Sequence, residues 1–303
     1  VLALKDLGRP EAALIRFRRA LAVNPGAAEV HFNLSNTLRE TGALEDATAA
    51  LGRAVALDPA HLRARTNLGV TLRDLGRTED AVAAFDAAIA CDSDHADAHW
   101  NRALALLLAG DFERGWPGYE WRWRATAMTP RDFAVPSWDG APPEWRTVLL
   151  HAEQGLGDCL QFIRYAPLVA AKGAKVVVEC PAPLTGLVAS CAGVSEVVAR
   201  SAELPPFDLH APLMSLPGPM ATRADTIPAD TPYLSAPKRA GAELEKALKQ
   251  AGRRARKSAS PGPAIRRMRT IATAPAARLV SRAWPKRRMS ACSICKKTLR
   301  PRR

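Results

Sequence analysis

The sequence lacks any run of about 18 consecutive apolar residues, so no membrane-spanning helix is read from it. It lacks an initiator Met and a signal-peptide pattern, and Val1 opens inside a helical pattern; a fragment of a longer chain in a cytoplasmic setting is the expectation. Its cysteines lack the spacing of a disulfide framework: Cys91, Cys159, Cys180, Cys191, Cys292 and Cys295 are scattered, mostly in apolar surroundings that suit reduced thiols. Ligand clusters are missing too. His31, His61, His95 and His99 fall on helices or turns without a metal-binding grouping, and Cys292-Ser-Ile-Cys295 has no second Cys pair, so no metal and no cofactor are expected. The last absence is of acid. Residues 251–303 carry 17 of the 43 Lys and Arg and no Asp or Glu, which leaves 26 basic against 30 acidic residues in the rest. The net charge of +13 is therefore a property of the tail. A selected nucleic-acid surface is the weakest of the functions considered, although the tail would attract polyanions.

What is present first is a period. Gly8, Gly42, Gly76 and Gly110 recur at intervals of 34, and Ala13/Ala47/Ala81, Phe17/Leu51/Phe85, Ala20/Ala54/Ala88 and Pro25/Pro59 keep the same phase. Gly closes a turn between two helices, small Ala lets them pack closely, and Pro ends the second. The pattern resembles the tetratricopeptide repeat. It predicts a partial first repeat, two full repeats over 28–61 and 62–95, and a degenerate one from Ala96, in which Ser93 fills the preceding Pro slot and Gly115 and Arg122 replace packing Ala. Such an array offers a groove for a protein or peptide, or serves as a spacer or dimerisation surface.

Five of the seven Trp lie between Trp116 and Trp145, which suits a packed segment better than a loose linker. From Thr147 the periodicity changes. Strands are predicted at 147–153, 175–180, 195–199 and 207–211, and helices at 159–172, with Pro167 breaking the first, and at 183–191. Alternation of strand and helix points to a parallel, Rossmann-like sheet. The Gln154-Gly155-Leu156-Gly157-Asp158 loop then falls at its carboxyl edge, where ligands bind. The two glycines would permit tight backbone geometry and close approach. As a dinucleotide fingerprint the loop is incomplete, since Leu160 stands where a third Gly belongs, although Glu179 is placed like a ribose-binding acid. Asp158 reads either as a helix N-cap or as a carboxylate able to take a proton from an acceptor hydroxyl; His151 and Glu153 line the same cleft or play buried structural roles.

The segment HAEQGLGDCLQFIRYAPLVAAKGAKVVVECPAPL, with PFDLHAPLMSLP and IPADTPYLSAP downstream, resembles bacterial proteins that join tetratricopeptide repeats to a glycosyltransferase domain similar to the ADP-heptose heptosyltransferases. The resemblance covers residues 1 to about 237. It implies one Rossmann-like half of a GT-B fold, sugar transfer, Asp158 as catalytic base, and Gly155, Gly157, Gln154 and His151 on the acceptor side. The family's donor half, with its D-T-x-x-x-H-type motif, is not readable after Pro237, where one amphipathic helix (240–250) precedes the basic tail. Codons exist for Lys257–Ala274 that, read one base on, encode V-G-L-A-W-A-G-N-P-A-H, a family-like strand; a frameshift near 250–257 is thus one origin of the tail.

The sequence therefore predicts repeats over 1–125, a Trp/Pro-rich junction over 126–146, a Rossmann-like half over 147–250, and a disordered or frameshifted basic tail over 251–303. The function implied is a repeat-linked glycosyltransferase, inactive as this chain, with nucleotide sugar a partner only if the second half is restored. The alternative is a protein-interaction scaffold working through the repeat groove.

Overall fold

The structure, a computed structural model, describes residues 10–236. Gly8, the helix predicted at 240–250, the tail, and Cys292 and Cys295 lie outside the described residues. Two compact units divide the chain: residues 10–141 with 208–228, and residues 142–207 with 229–236.

The first unit opens with α1 (Pro10–Val23) and continues as antiparallel pairs: α2 (Ala28–Glu40) with α3 (Leu44–Leu57), α4 (Leu62–Asp74) with α5 (Thr78–Cys91), and α6 (Ala96–Ala109) with α7 (Phe112–Tyr119). Gly42, Gly76 and Gly110 stand at φ of 83°, 80° and 87°, the left-handed conformation that a side chain resists. At each, the next residue's N–H reaches back to close the helix end: Ala43 to Leu38 O, Arg77 to Leu72 O, and Asp111 to Leu106 O, all at 2.9 Å. Ala47, Ala81, Leu51, Phe85, Ala54 and Ala88 are fully buried between the helices, as their phase requires.

The ends of the second helices depend less on proline than the sequence suggests. Asn24, Asp58 and Asp92 each accept, at Oδ1, the N–H two residues on (Gly26, Ala60 and Asp94, at 3.0–3.1 Å). These side-chain turns recur once per repeat and end the helix with or without proline, so Ser93 in the third slot leaves α5 ending in register. A second repeating brace fastens the next helix. His31 Nε2 lies 3.0 Å from Pro25 O, Arg65 Nε donates to Pro59 O at 2.6 Å, and His99 Nε2 lies 2.8 Å from Ser93 O. His61 caps α4, accepting from Ala64 N–H at 3.3 Å, and His95 Nε2 lies 3.0 Å from Thr66 Oγ1.

The degenerate repeat ends in α8 (Arg122–Ala125). Arg122, in place of a packing Ala, is fully buried. Its guanidinium lies 4.8 Å from the Tyr119 ring and 4.2 Å from that of Trp123, and it donates to Glu120 Oε1 and Ser215 Oγ at 2.7 Å each. A charge buried this way is kept by its partners, and losing one would cost several kcal/mol. Trp116 donates to Thr222 O at 3.0 Å, Trp121 stacks on His99 at 3.9 Å, and Trp138 is buried. Trp145 departs from the packed expectation, being 87% exposed. The strand predicted at 207–211 forms as β4 (Leu209–Pro212), bridged to Ser137.

In the second unit β1 (Thr147–His151), β2 (Lys175–Cys180) and β3 (Val194–Ala199) run parallel in the order β3-β2-β1. Val148, Leu149, Leu150, Val176, Val177 and Val178 are all buried, the continuous apolar run of a strand covered on both sides. The helix predicted at 159–172 is instead two: α9 (Leu156–Phe162) and α10 (Ala166–Ala171), separated by a 3-10 turn, Ile163–Tyr165. Pro167 is the reason. It has no N–H to give Ile163 O four residues back, and its ring crowds that carbonyl. That carbonyl accepts instead from the Ala166 N–H, closing the 3-10 turn, and from the Cys191 thiol at 3.6 Å. The helix predicted at 183–191 is likewise short, a 3-10 turn (Ala182–Leu184) and α11 (Thr185–Val188). Both α10 and α11 pack against β2 and β3.

Candidate functional site

The loop from Ala152 to Asp158 leaves the carboxyl end of β1 and enters α9. His151, the last residue of β1, is buried and stands in register with Glu179 of β2, also buried. Glu179 is thus a wall residue and not a ribose-binding acid at an open edge. Ala152 N–H donates to Glu179 O at 2.9 Å, and Arg200, at the end of β3, donates to Ala152 O, so the root of the loop is tied to both neighbouring strands. Glu153 and Gln154 are half-buried, and Gly155 and Gly157 are exposed.

Asp158 is not the N-cap. That position is Gly155, and Asp158 stands three residues on, its Oδ2 accepting the Gly155 N–H at 3.1 Å, the returning half of a capping box whose other half a glycine cannot supply. Burial raises the Asp158 carboxyl above its ordinary value, and the Gly155 N–H pulls the other way. A half-buried carboxylate so tuned is a better proton acceptor than a solvated one. The glycines correct a second expectation. Neither has positive φ, and a Cβ on Gly157 would meet nothing within 4 Å. Their backbone does not require glycine; what they leave is open space over the first turn of α9.

Behind this turn Cys159 and Cys180 lie side by side, both buried. The Cys159 thiol donates to Cys180, which pushes its own pKa up and lowers that of Cys180. The loop thus brings Asp158 and Gly155 together, with Gly157 beside them and His151 in the wall. Among the described residues no group of three or more His, Cys, Asp and Glu is arranged to hold a metal ion.

A second candidate surface was not picked out from the sequence. Asn33, Asn67 and Asn101 recur once per repeat on α2, α4 and α6, the first helices of the pairs, and all three are half-buried. Asn67 donates to Asn36 Oδ1 at 2.9 Å, and Arg73 donates to Asn101 Oδ1 at 3.0 Å. Asn33 donates to Glu29 O at 2.8 Å and Asn101 to Asp97 O at 2.8 Å, which holds the amides against their own helices. The period that carries Gly and Ala carried this row too, in plain sight. Packing positions draw attention because their chemistry is the fold's, whereas amides on a helix face read as ordinary surface.

Residues 1–61, 44–95 and 66–115 match the tetratricopeptide repeat family, and the chain carries these repeats. No curated protein matches the chain. Among solved structures it is similar to a crystal structure of MamA (19% identity, TM-score 0.39, covering 56% of this chain and 80% of that one). It is similar also to MamA from Desulfovibrio magneticus RS-1 (16%, 0.39, 56% and 78%). A mutant O-GlcNAc transferase of Thermobaculum terrenum is similar at 20% identity and a TM-score of 0.38, over 64% of this chain, which spans 39% of that one. Among the described residues no helix is long and apolar enough to cross a membrane.

Proposed function

We propose that the chain is a protein-interaction module that holds an extended peptide against α2, α4 and α6, joined to a Rossmann-like acceptor-side half of a heptosyltransferase-like glycosyltransferase. The row of Asn33, Asn67 and Asn101 carries the first part of this reading. Beyond their bonds within the array, Asn33 keeps its Oδ1, Asn67 one N–H and its Oδ1, and Asn101 one N–H, so that the row offers donors and acceptors suited to the N–H and C=O of a peptide backbone, whatever its side chains. Each such bond contributes about 1 kcal/mol. Peptides selected from a random display library on the full chain should therefore lose at least about tenfold in affinity when all three asparagines become Ala. Unchanged affinity in that triple variant, with its helix content intact, rejects the reading.

The transferase part is favoured by the parallel sheet, by the loop at its carboxyl edge, and by Asp158, whose raised pKa suits a base for an acceptor hydroxyl. Gly155, Gly157 and Gln154 leave room for that acceptor, with His151 supporting the loop from the strand. A nucleotide sugar would bind the facing half, which the shifted reading frame would restore. Sequencing the coding DNA tests that frame directly. Nucleotide-sugar turnover by the frame-restored chain is expected to disappear in Asp158→Ala; turnover that survives the substitution removes Asp158 from the chemistry.

A further inference from the structure

Between α1 and α3, with α2 as its floor, lies a cavity of 290 Å³. Leu34, Leu38 and Ala50 form a buried apolar base and Leu21 a half-buried side. Arg18 on α1 and Arg53 on α3 stand exposed at its rim, with Asp46. None of these three charged side chains makes an ion pair or hydrogen bond among the described residues. The rim therefore keeps one net positive charge over an apolar base.

The repeats supply an internal comparison, because the same positions recur one and two repeats on. In the second interval Arg18 and Arg53 become Gly52 and Ala87, and the cations are gone. In the third they become Asp86 and Trp121, and both are occupied: Asp86 pairs with Arg102, and Trp121 stacks on His99 at 3.9 Å. Packing of the repeats thus does not demand two arginines at these sites, and where the repeat does place charge or an aromatic there, the protein supplies its partner. Of the three intervals, the first holds unpartnered cations over an apolar base.

We propose that this cavity binds an acidic peptide segment of a partner protein, one apolar side chain entering between α1 and α3 and a neighbouring carboxylate held by Arg18 and Arg53. Its 290 Å³ stands at the low end of ligand pockets, about 300 to 1,000 Å³, which leaves room for one peptide side chain with its neighbours held at the rim. Guanidinium forks match a carboxylate in geometry as well as charge. Asp46 keeps the net charge at one and so disfavours polyacidic ligands. This surface is separate from the asparagine row, so the two readings fail independently.

The test uses the full chain and a capped peptide of Gly and Ser carrying one photo-leucine followed by one Glu. Crosslinks are mapped by mass spectrometry. They are expected within residues 18–53, with the yield falling at least about tenfold when the peptide's Glu becomes Gln or when the chain carries Arg18→Glu with Arg53→Glu. A Lys in place of the peptide's Glu should recover crosslinking to that double variant. Both arginines are exposed, so the variant should retain its helix content, and the triple asparagine variant should crosslink as the parent does. A yield indifferent to the double reversal, or crosslinks confined to the basic residues 251–303, overturns the proposal.

Discussion

Gly69, in the middle of α4, faces Phe85 of α5, and a Cβ built on it would lie 2.5–2.8 Å from three atoms of that ring. Phe85 is fully buried, so the ring cannot swing into solvent. Two effects of Gly69→Ala oppose each other. Alanine gains about 1 kcal/mol of helix propensity, and overpacking a rigid core costs about 1–3 kcal/mol. The overlap is far inside van der Waals contact and the ring is held, so the loss wins, by about 1 kcal/mol net. The neighbouring repeat shows the alternative solution: Ser35 is the counterpart of Gly69 one repeat earlier and Leu51 that of Phe85, a larger residue opposite a smaller one. In a Phe85→Leu background, Gly69→Ala should therefore turn from destabilising to stabilising, a coupling of about 1–2 kcal/mol. Urea denaturation of the four chains, followed by far-ultraviolet circular dichroism, reads this from the shift in midpoint. If Gly69→Ala stabilises both backgrounds equally, the ring does not set the residue at 69.

Three further perturbations test other parts of the chain. Asp158→Asn should leave the Gly155 contact possible and abolish the titration. Because the folded pKa is raised, the carboxyl's contribution to stability is full below the unfolded value of 3.8 and is lost as pH rises through the folded one, so Tm should move in the variant's favour as pH rises above 3.8. Parallel curves would show that burial does not penalise this charge. His210 behaves oppositely: burial first and Arg131 second lower its pKa, so its contribution is present above the unfolded value of 6.5 and lost as pH falls below it. His210→Gln should flatten the acid limb of Tm against pH below 6.5, and an unchanged limb would place the charge in solvent. Cys191→Ala removes one of two donors to Ile163 O, the Ala166 N–H being the other, and should cost at most about 1 kcal/mol of stability, read from the urea midpoint; a neutral result means that the Ala166 N–H suffices.

The repeat unit was legible because each of its positions is constrained several times over. Gly42, Gly76 and Gly110 have to be glycine for their φ, Ala47 and Ala81 have to be small for the helix contact, and the interval repeats the statement. A single departure, such as Ser93 for proline, did not blur the register because Asp92 ends the helix by other means. The strands at 147, 175 and 194 were legible for a simpler reason: an apolar run of strand length has few other readings. The break inside the predicted helix at 159–172 lay four residues before the proline that causes it, since what Pro167 affects is the Ile163 carbonyl.

The loop was read less well, and the reason is that glycine and aspartate each serve several physical ends. Gly155 and Gly157 carry the same letter as Gly42, but their backbone is ordinary and space stands open over Gly157, so removing the side chain is the effect left to explain. The sequence left Asp158 as either a cap, from its place before an apolar pattern, or a proton-accepting carboxylate; α9 begins at Leu156 and puts it in the first turn. From there its carboxylate bonds backwards to the cap, and burial raises its pKa. An N-cap carboxylate would accept amide N–H bonds of the first turn and be held low, a poor base; the same residue three positions on keeps one such bond and loses solvent. The placement that denies Asp158 the cap thus leaves its carboxylate one amide partner and a pKa raised by burial, the direction that the proposed role as a base calls for.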